Sequence, residues 1–220
     1  MISMSEDYID FHFGGYDLSL HLPTTKLKSY HHPSNPKDVA AAFTPEGIQP
    51  PYEVKLVADA LLCAAEEHGK INHRRKYTDE PYVLHPIAVA KIVMTVAHTP
   101  EMVAAALLHD VVEDTPEIGL HHIFVRFGDE VSVLVDWLTD VSKPSDGNRS
   151  VRKEIDRQHI AKAPPAAKTI KLADLIDNTL TIKERDPDFW RVYRHEKLRL
   201  LEVLKEGDQT LWNRAMEQCK

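Results

Sequence analysis

Apolar and polar positions follow a helical period from about residue 51 to the end of the chain. The stretch YEVKLVADALLCAAEEHG predicts a helix of about four turns that ends near Gly69, a residue suited to a helix C-cap. Similar periodicity predicts helices over these segments: YVLHPIAVAKIVMTVA, MVAAALLHDVVED, FGDEVSVLVDWLTDVSK, NRSVRKEIDRQHIAKA, PPAAKTIKLADLIDNTLTIKERD, PDFWRVYRHEKLRLLEVLKEG and DQTLWNRAMEQCK. Because strands do not alternate with these segments, the pattern predicts an all-α body.

Local signals predict where several of these helices begin. Thr99-Pro100-Glu101 combines an N-capping threonine, a proline suited to the first helical position and an acid in the first turn. Thr115-Pro116-Glu117 repeats this pattern, which predicts that the next helix begins there. Gly128 precedes a further helix, and the polar, basic stretch KINHRRKYTDEP predicts a loop.

Residues 1–51 differ from the rest of the chain. They contain six prolines and little helical periodicity, although FHFGGYDLSLHL predicts a short strand or hairpin around Gly14-Gly15. We therefore divide the chain into an irregular N-terminal extension, residues 1–51, and a helical domain, residues 52–220. The extension is expected to be dispensable for chemistry, and its histidines are interpreted as surface residues: His12, His21, His31 and His32.

Composition excludes several classes of function. The 220 residues are 43% hydrophobic and 28% charged, which is typical of a globular protein, and the net charge of −7 argues against broad nucleic-acid binding. Cys63 and Cys219 are far apart and form no metal-type pair, which favours a reducing cytosol. The sequence offers no signal peptide and no apolar run near the roughly 20 residues that span a bilayer. We expect a cytoplasmic protein without a nucleic-acid or membrane partner.

The stretch LLHDVVEDT places four ionisable groups directly after the apolar run MVAAALL. On a continuous helix His109 and Glu113 would share one face, and Asp110 and Asp114 the neighbouring face. Such groups are costly to bury without a cation or dense hydrogen bonding. Imidazole and carboxylate suit Mn, Fe or Zn. We favour a metal site over the alternative of a solvated helix end.

Two other segments offer further ligands. His85 lies in EPYVLHP, where a histidine alone is more often a capping or core residue. Asp174 lies in the apolar segment TIKLADLIDNT, where a carboxylate needs a partner. Lys171 and Asn178 lie on the same side of that helix. The alternative for Lys171 is a surface ion pair with Asp174, which would stabilise the fold little.

In this order EPYVLHP, LLHDVVEDT and KLADLIDN resemble the motifs of HD-domain phosphohydrolases. The resemblance is closest to the hydrolase domain of RelA/SpoT-type proteins and to the small alarmone hydrolases. It runs from about Tyr52 to Lys183 and includes the segments RRK, FGDEVSVLV and LTDVSK. It implies an HD-domain helical bundle that hydrolyses its substrate. We expect hydrolysis only, because the 220 residues leave no room for a synthetase domain.

The resemblance also implies roles for individual residues. It implies four metal ligands: His85, His109, Asp110 and Asp174. The ion would be Mn²⁺, with another divalent transition metal as the alternative. Glu113 and Asp114 would orient and activate water. Five residues would contact the nucleotide: Arg75, Lys76, Tyr82, Lys171 and Asn178.

Three features leave alternatives open. Arg74 could take the place of Arg75, because the spacing before EPYVLHP varies in the family. Asp177 stands where several family members have a bulky or aromatic residue, so nucleotide packing is expected to differ. The basic helix that follows Asn148 is interpreted as a solvated face rather than a phosphate site. Its cations are Arg149, Arg152, Lys153 and Arg157.

The expected function is removal of the 3′-pyrophosphate from alarmones of the guanosine 3′,5′-bis-pyrophosphate (ppGpp) type, a reaction of the stringent response. The small-molecule partner would be the nucleotide substrate. One alternative keeps the enzyme and changes the substrate to another nucleotide or a phosphorylated cofactor. A second alternative is a catalytically inactive, nucleotide-binding regulator. The acidic balance of the chain disfavours a DNA-binding helical protein.

Overall fold

The computed structural model of the protein describes residues 4–5, 8–21 and 51–220. Residues 51–220 form α helices joined by short loops and one 3₁₀ turn, Pro144–Asp146. The helices are α1 Tyr52–Lys70, α2 Leu84–Val93, α3 Pro100–Leu108, α4 Val111–Asp114, α5 Leu120–Phe127, α6 Asp129–Leu138, α7 Arg149–Ile160, α8 Pro165–Arg185, α9 Pro187–Val203 and α10 Gln209–Glu217. The predicted all-α body is confirmed. Across the described ranges, no helix has both the length and the apolar character needed to cross a membrane.

The N-terminal strands form a small antiparallel sheet. Its strands are β1 Met4–Ser5, β2 Tyr8–Phe13 and β3 Tyr16–His21, in the order β1-β2-β3. Gly14 and Gly15 have φ angles of 58° and 83°, which a two-residue hairpin turn requires and glycine adopts without strain. The predicted hairpin is therefore confirmed. Residues 1–3, 6–7 and 22–50 of the predicted irregular extension, which include His31 and His32, lie outside the described residues.

The hairpin packs on the helical body. Phe11, Phe13 and Leu18 are buried in the same hydrophobic core as Val54 of α1. The Lys91 ammonium of α2 donates a hydrogen bond to the backbone carbonyl of Asp10 at 3.2 Å. The division of the chain at residue 51 stays a prediction, but the strands contribute side chains to the core of the helical domain.

Helix α3 lies at the centre of the bundle and packs against α1, α2, α6 and α8. Residues 102–108 are all buried, because a helix that is apolar on every face is stable only when neighbours surround it. The hydroxyl of Thr99 accepts a hydrogen bond from the backbone N–H of Met102 at 3.2 Å, which confirms the predicted N-cap. The polar residues that follow α3 therefore emerge inside the protein.

Two local predictions are wrong. The helix predicted over MVAAALLHDVVED is interrupted, since α3 ends at Leu108 and α4 begins at Val111. The Asp114 N–H donates to the carbonyl of Asp110, the N-cap residue of α4, at 3.0 Å. Thr115 opens no helix, because its hydroxyl donates to the carbonyl of Val111 at 2.5 Å and so closes α4. Helix α5 begins later, after Gly119.

Candidate active site

Three buried side chains converge from separate parts of the bundle. His85 lies in the first turn of α2, His109 directly follows α3, and Asp174 lies in the middle of α8. One ligand atom of each side chain lies within 4.8 Å of the others. The residues are 1%, 2% and 5% exposed, respectively. Such a dense group of ionisable side chains is stable in a core only if charges are matched or a cation binds.

The orientation of the two histidines favours metal ligation. The Nδ1 atom of His109 lies 2.8 Å from the carbonyl of Ala106, and its Nε2 atom is buried with no aligned hydrogen bond to any described residue. The Nε2 atom of His85 lies 3.2 Å from Asp174 Oδ1. Asp110 Oδ2 lies 3.1 Å from the Nε2 of His109 and 3.6 Å from that of His85. Two imidazole nitrogens and two carboxylates thus meet, a donor set that suits a divalent transition metal.

Asp174 is held in its charged form by neighbours on α8. Lys171 Nζ lies 2.9 Å from Asp174 Oδ2, and the amide of Asn178 donates to Asp174 Oδ1 at 2.5 Å. Burial alone would raise the pKa of Asp174, but Lys171 and the histidines hold it well below its usual range. The alternative of a surface pair between Lys171 and Asp174 is wrong, because the carboxylate is buried.

Asp177 orients His85 from the side opposite the cluster. Its Oδ2 atom lies 2.7 Å from His85 Nδ1, so the other ring nitrogen faces Asp174. Burial disfavours the charged imidazolium of His85, yet hydrogen bonds with Asp174 and Asp177 raise its pKa to about 9. Sequence reasoning assigned Asp177 to nucleotide packing and missed this contact. No local signal could have found it, because the two residues are 92 positions apart.

Glu113 and Asp114 point to different neighbours. Glu113 Oε1 accepts a hydrogen bond from the backbone N–H of Asp140 at 2.6 Å. Partial burial of the carboxyl group and the charge of Asp140 raise the pKa of Glu113 to about 7. Asp114 Oδ2 lies 3.4 Å from Nδ1 of His73. Burial and the charge of Asp110 raise the pKa of Asp114 to about 6.

A pocket of about 120 Å³ adjoins the cluster. Four of the residues predicted to contact substrate line it: Arg75, Lys76, Tyr82 and Asn178. The guanidinium of Arg75 donates to Asp177 Oδ2 at 3.2 Å, and the Tyr82 hydroxyl donates to Asp110 Oδ2 at 2.6 Å. The Lys76 side chain is exposed, with its ammonium 3.7 Å from Asp186.

Arg74 faces away from this pocket. Its guanidinium donates to the backbone carbonyl of Asp79 within its own loop, at 3.3 Å. Of the two arginines that the sequence left as alternatives, Arg75 is therefore the one that lines the pocket.

A larger cleft of about 180 Å³ lies beyond Asn178 and is also lined by Lys171 and Asp174. Three cations of the basic helix α7 border it, and each is paired with an acid: Arg149 with Glu196, Lys153 with Asp140, and Arg157 with Glu154. The helix is thus neither a plainly solvated face nor a set of unpaired phosphate ligands.

An all-α bundle in which a His-Asp pair follows the central helix, close to a second histidine and a distant aspartate, defines the HD-domain class. The family model described as "HD domain" matches residues 60–204, and the chain belongs to this family.

Named relatives lie within the same family. The chain is 33% identical over 144 residues to the guanosine-3′,5′-bis(diphosphate) 3′-pyrophosphohydrolase MESH1 of Xenopus tropicalis, covering 64% of this chain and 78% of that protein. It is 36% identical over 111 residues to a GTP pyrophosphokinase of Streptomyces coelicolor, covering 50% of this chain. The chain spans only 13%, 17% and 16% of three longer relatives from Streptomyces coelicolor, Synechocystis and Oryza sativa.

One solved structure has a fold similar to that of this chain. It is that of a metazoan ortholog of SpoT that hydrolyzes ppGpp and plays a role in starvation responses. The similarity has a TM-score of 0.66 at 30% identity and covers 78% of this chain and 96% of the solved one.

Proposed function

We propose that the protein is a metal-dependent phosphohydrolase that removes the 3′-pyrophosphate of ppGpp-type alarmones. The observation that carries the proposal is the buried meeting of His85, His109 and Asp174, with Asp110 beside them. The names of the HD-domain relatives, which include ppGpp 3′-pyrophosphohydrolases, support the choice of reaction and substrate.

The ion would be held by His85, His109, Asp110 and Asp174. The buried Nε2 of His109 fits this role, because a metal would supply the aligned contact that this atom lacks among the described residues. We propose Mn²⁺ as the ion because the family resemblance implies it, and the mixed imidazole and carboxylate donors are compatible with Mn²⁺ as well as with Fe²⁺ or Zn²⁺. When bound, a divalent cation supplies Lewis-acid polarisation of a phosphoryl oxygen and lowers the pKa of water.

Glu113 is proposed as the general base. It takes a proton from water while the water oxygen attacks the phosphorus bonded to the 3′ oxygen. The bond between that phosphorus and the 3′ oxygen breaks, pyrophosphate leaves, and the 3′ oxygen takes up a proton to become a hydroxyl. A carboxyl group with a pKa of about 7 suits this task, because a general base works best with a pKa near the working pH. Asp114 is proposed to assist in orienting the water.

The nucleotide would bind in the pocket that Arg75, Lys76, Tyr82 and Asn178 line. A planar guanidinium can stack on a purine and also donate to phosphate oxygens, which supports Arg75 as the principal contact. Lys171 would offset negative charge that develops on the phosphoryl group, because it lines the neighbouring cleft beside Asp174.

Asp177 bears on the alternative substrate. A free carboxylate beside the base would favour a purine with a different hydrogen-bonding edge. The Oδ2 atom of Asp177 instead contacts His85 and Arg75, which supports a role in the metal site. The complete set of predicted ligands beside Glu113 argues against an inactive regulator.

A cytoplasmic location, in the setting of the stringent response, is part of the proposal. Both cysteines, Cys63 and Cys219, are free and buried, which is consistent with a reducing compartment.

A nucleotide panel tests the proposed function. The protein is loaded with Mn²⁺, incubated with guanosine and adenosine alarmones, phosphorylated cofactors and nucleoside triphosphates, and the products are separated by chromatography. We expect guanosine 3′,5′-bis-pyrophosphate to yield guanosine 5′-diphosphate and pyrophosphate. If the guanosine alarmones stay intact while another nucleotide is consumed, the substrate assignment is wrong. If none is consumed, the inactive regulator becomes the better hypothesis.

A further inference from the structure

A second group of ligand-type side chains lies beside the candidate active site and shares no residue with the predicted metal ligands. His68 lies in the last turn of α1, His73 in the loop that follows, and Asp114 at the end of α4. One ligand atom of each lies within 4.8 Å of the others. His73 Nδ1 lies 3.4 Å both from His68 Nδ1 and from Asp114 Oδ2.

Two atoms of this group lack the partners that burial demands. His68 is 2% exposed, and its Nε2 atom makes no hydrogen bond with any residue in the described part of the chain. The buried Oδ2 atom of Asp114 also makes none there, since its contact with His73 is longer than a good hydrogen bond. A buried polar atom without a partner is destabilising, so each of these atoms is a candidate to bind an absent ligand.

The histidines do not supply the missing positive charge. Burial lowers the pKa of His68 to about 4 and also lowers that of His73, so both rings are neutral at neutral pH. A neutral imidazole offers a lone pair to a metal. Two neutral rings and one carboxylate therefore form a donor set with a net negative charge and no cation among its own members.

We propose that His68, His73 and Asp114 bind a second divalent transition-metal cation, separate from the ion at His85, His109 and Asp174. Two imidazoles and a carboxylate suit Zn²⁺, Fe²⁺ or Mn²⁺. This inference replaces the water-orienting role proposed above for Asp114 with metal ligation, and it leaves Glu113 as the general base of the proposed reaction.

The second ion would fix one wall of the nucleotide pocket. His73 belongs to the loop that carries Arg75 and Lys76, whereas Asp114 belongs to α4, so a shared ion joins the loop to the helix. The ring of Tyr82 stacks on His73 with 3.7 Å between centroids, and its hydroxyl donates to Asp110. The ion would therefore hold the loop in position.

Metal stoichiometry of the full chain tests this inference. Wild-type protein, His73→Ala, Asp114→Asn and the control His121→Ala are dialysed against Zn²⁺, and bound metal is measured by mass spectrometry. His121 is a suitable control because it is exposed on α5. We expect two ions per chain for the wild type and the control, and one for the other variants. One ion in the wild type, or two in both site variants, would overturn the inference.

A second measurement reads out the loop directly and does not depend on any nucleotide. Trypsin cleaves after the exposed Arg74 and Lys76 of this loop. We expect Zn²⁺ to slow that cleavage in the wild type and in His121→Ala, but not in His73→Ala or Asp114→Asn. Circular dichroism establishes that each variant is folded, and two variants at different elements keep the test informative if one is not. Equal protection in all four proteins would contradict the proposal that a second ion holds this loop in position.

Discussion

Asp177 lies 2.7 Å from Nδ1 of His85 through its Oδ2 atom, and so determines which ring nitrogen faces the metal cluster. The same oxygen accepts a hydrogen bond from Arg75 at 3.2 Å. Asp177 thus connects a residue of the nucleotide pocket with a predicted metal ligand. Carboxylates in this position usually fix the orientation of a ligating histidine and increase its basicity.

The first prediction is that Asp177→Asn weakens metal binding. The amide can accept a hydrogen bond, but it lacks the negative charge that favours the donor form of His85 Nδ1. We expect an affinity loss of about 10–100-fold, the usual effect of removing such a partner. Competition with a fluorescent chelator measures it without any substrate.

Asp188→Asn is the matched control for this change. Asp188 lies on α9 with its side chain 93% exposed, so the substitution alters the net charge equally and touches no ligand. Its metal affinity should equal that of the wild type. Equal affinities in Asp177→Asn and Asp188→Asn would remove Asp177 from the metal site.

The second prediction is that Glu113→Gln retains metal and loses turnover. Glutamine keeps the size of the side chain and can still accept the hydrogen bond from the Asp140 N–H. It cannot take a proton from water, so we expect kcat to fall by roughly 10²–10⁴-fold, as is typical for loss of a general base. Loss of the metal in this variant would instead identify Glu113 as a ligand.

The third prediction concerns pH. The pKa of Glu113 is raised to about 7 by burial and by the charge of Asp140, and the base must be deprotonated to act. Activity should therefore fall as the pH decreases through about 7 and reach a plateau above it. The pH dependence of kcat/KM measures this for the free enzyme. The residual activity of Glu113→Gln should lack that step, whereas the same step in this variant would assign the titration to another group.

The helices could be predicted from the sequence because their signals are local. The apolar period of residues 102–108 and the cap at Thr99 both act within a few residues of the chain. The error at Thr115 also has a local cause. A threonine hydroxyl can cap the helix that follows or bond to the turn that precedes it, and in this protein it bonds to Val111.

Some residues of the candidate site could also be predicted from local sequence, whereas others could not. His109 and Asp110 could be identified because they are adjacent and follow an apolar run. The contact of Asp177 with His85, and the approach of His73 to Asp114, depend on how distant elements pack. Spacing along the chain contains no information about such contacts, so only the three-dimensional structure could reveal them.

The fourth prediction separates stability from chemistry in the N-terminal strands. Phe11 of β2 is fully buried in the core, although it lies in the extension that is expected to be dispensable for chemistry. Phe11→Ala should lower the free energy of unfolding by about 3–5 kcal/mol, the usual cost of this truncation in a core. At temperatures below unfolding, kcat/KM should not change.

Phe124 provides the control, because it is 50% exposed on α5. Phe124→Ala should alter the free energy of unfolding by no more than about 0.5 kcal/mol. Denaturant titration measures both variants. A loss of turnover in folded, metal-loaded Phe11→Ala would mean that the strands complete the active site.

The last prediction is that Arg75→Ala raises KM strongly and lowers kcat less. Arg75 lines the nucleotide pocket and donates to Asp177 and Thr181. Glu113, the proposed base, is not among the residues that line this pocket. Loss of a contact that is equally strong in the ground state and the transition state raises KM alone. Because a charged hydrogen bond contributes about 1.5–3 kcal/mol, we expect KM to rise by roughly 10–100-fold.

Arg75→Lys and Arg74→Ala distinguish the basis of this effect. Lysine keeps the charge but lacks the planar group that can stack on a purine while it donates to phosphate. KM for Arg75→Lys should therefore stay close to that of Arg75→Ala. Arg74→Ala should resemble the wild type, because Arg74 bonds within its own loop. If Arg75→Lys restores the wild-type KM, charge alone explains the contact and the proposed stacking on guanine is wrong. If Arg74→Ala raises KM instead, the other arginine of the pair binds the nucleotide.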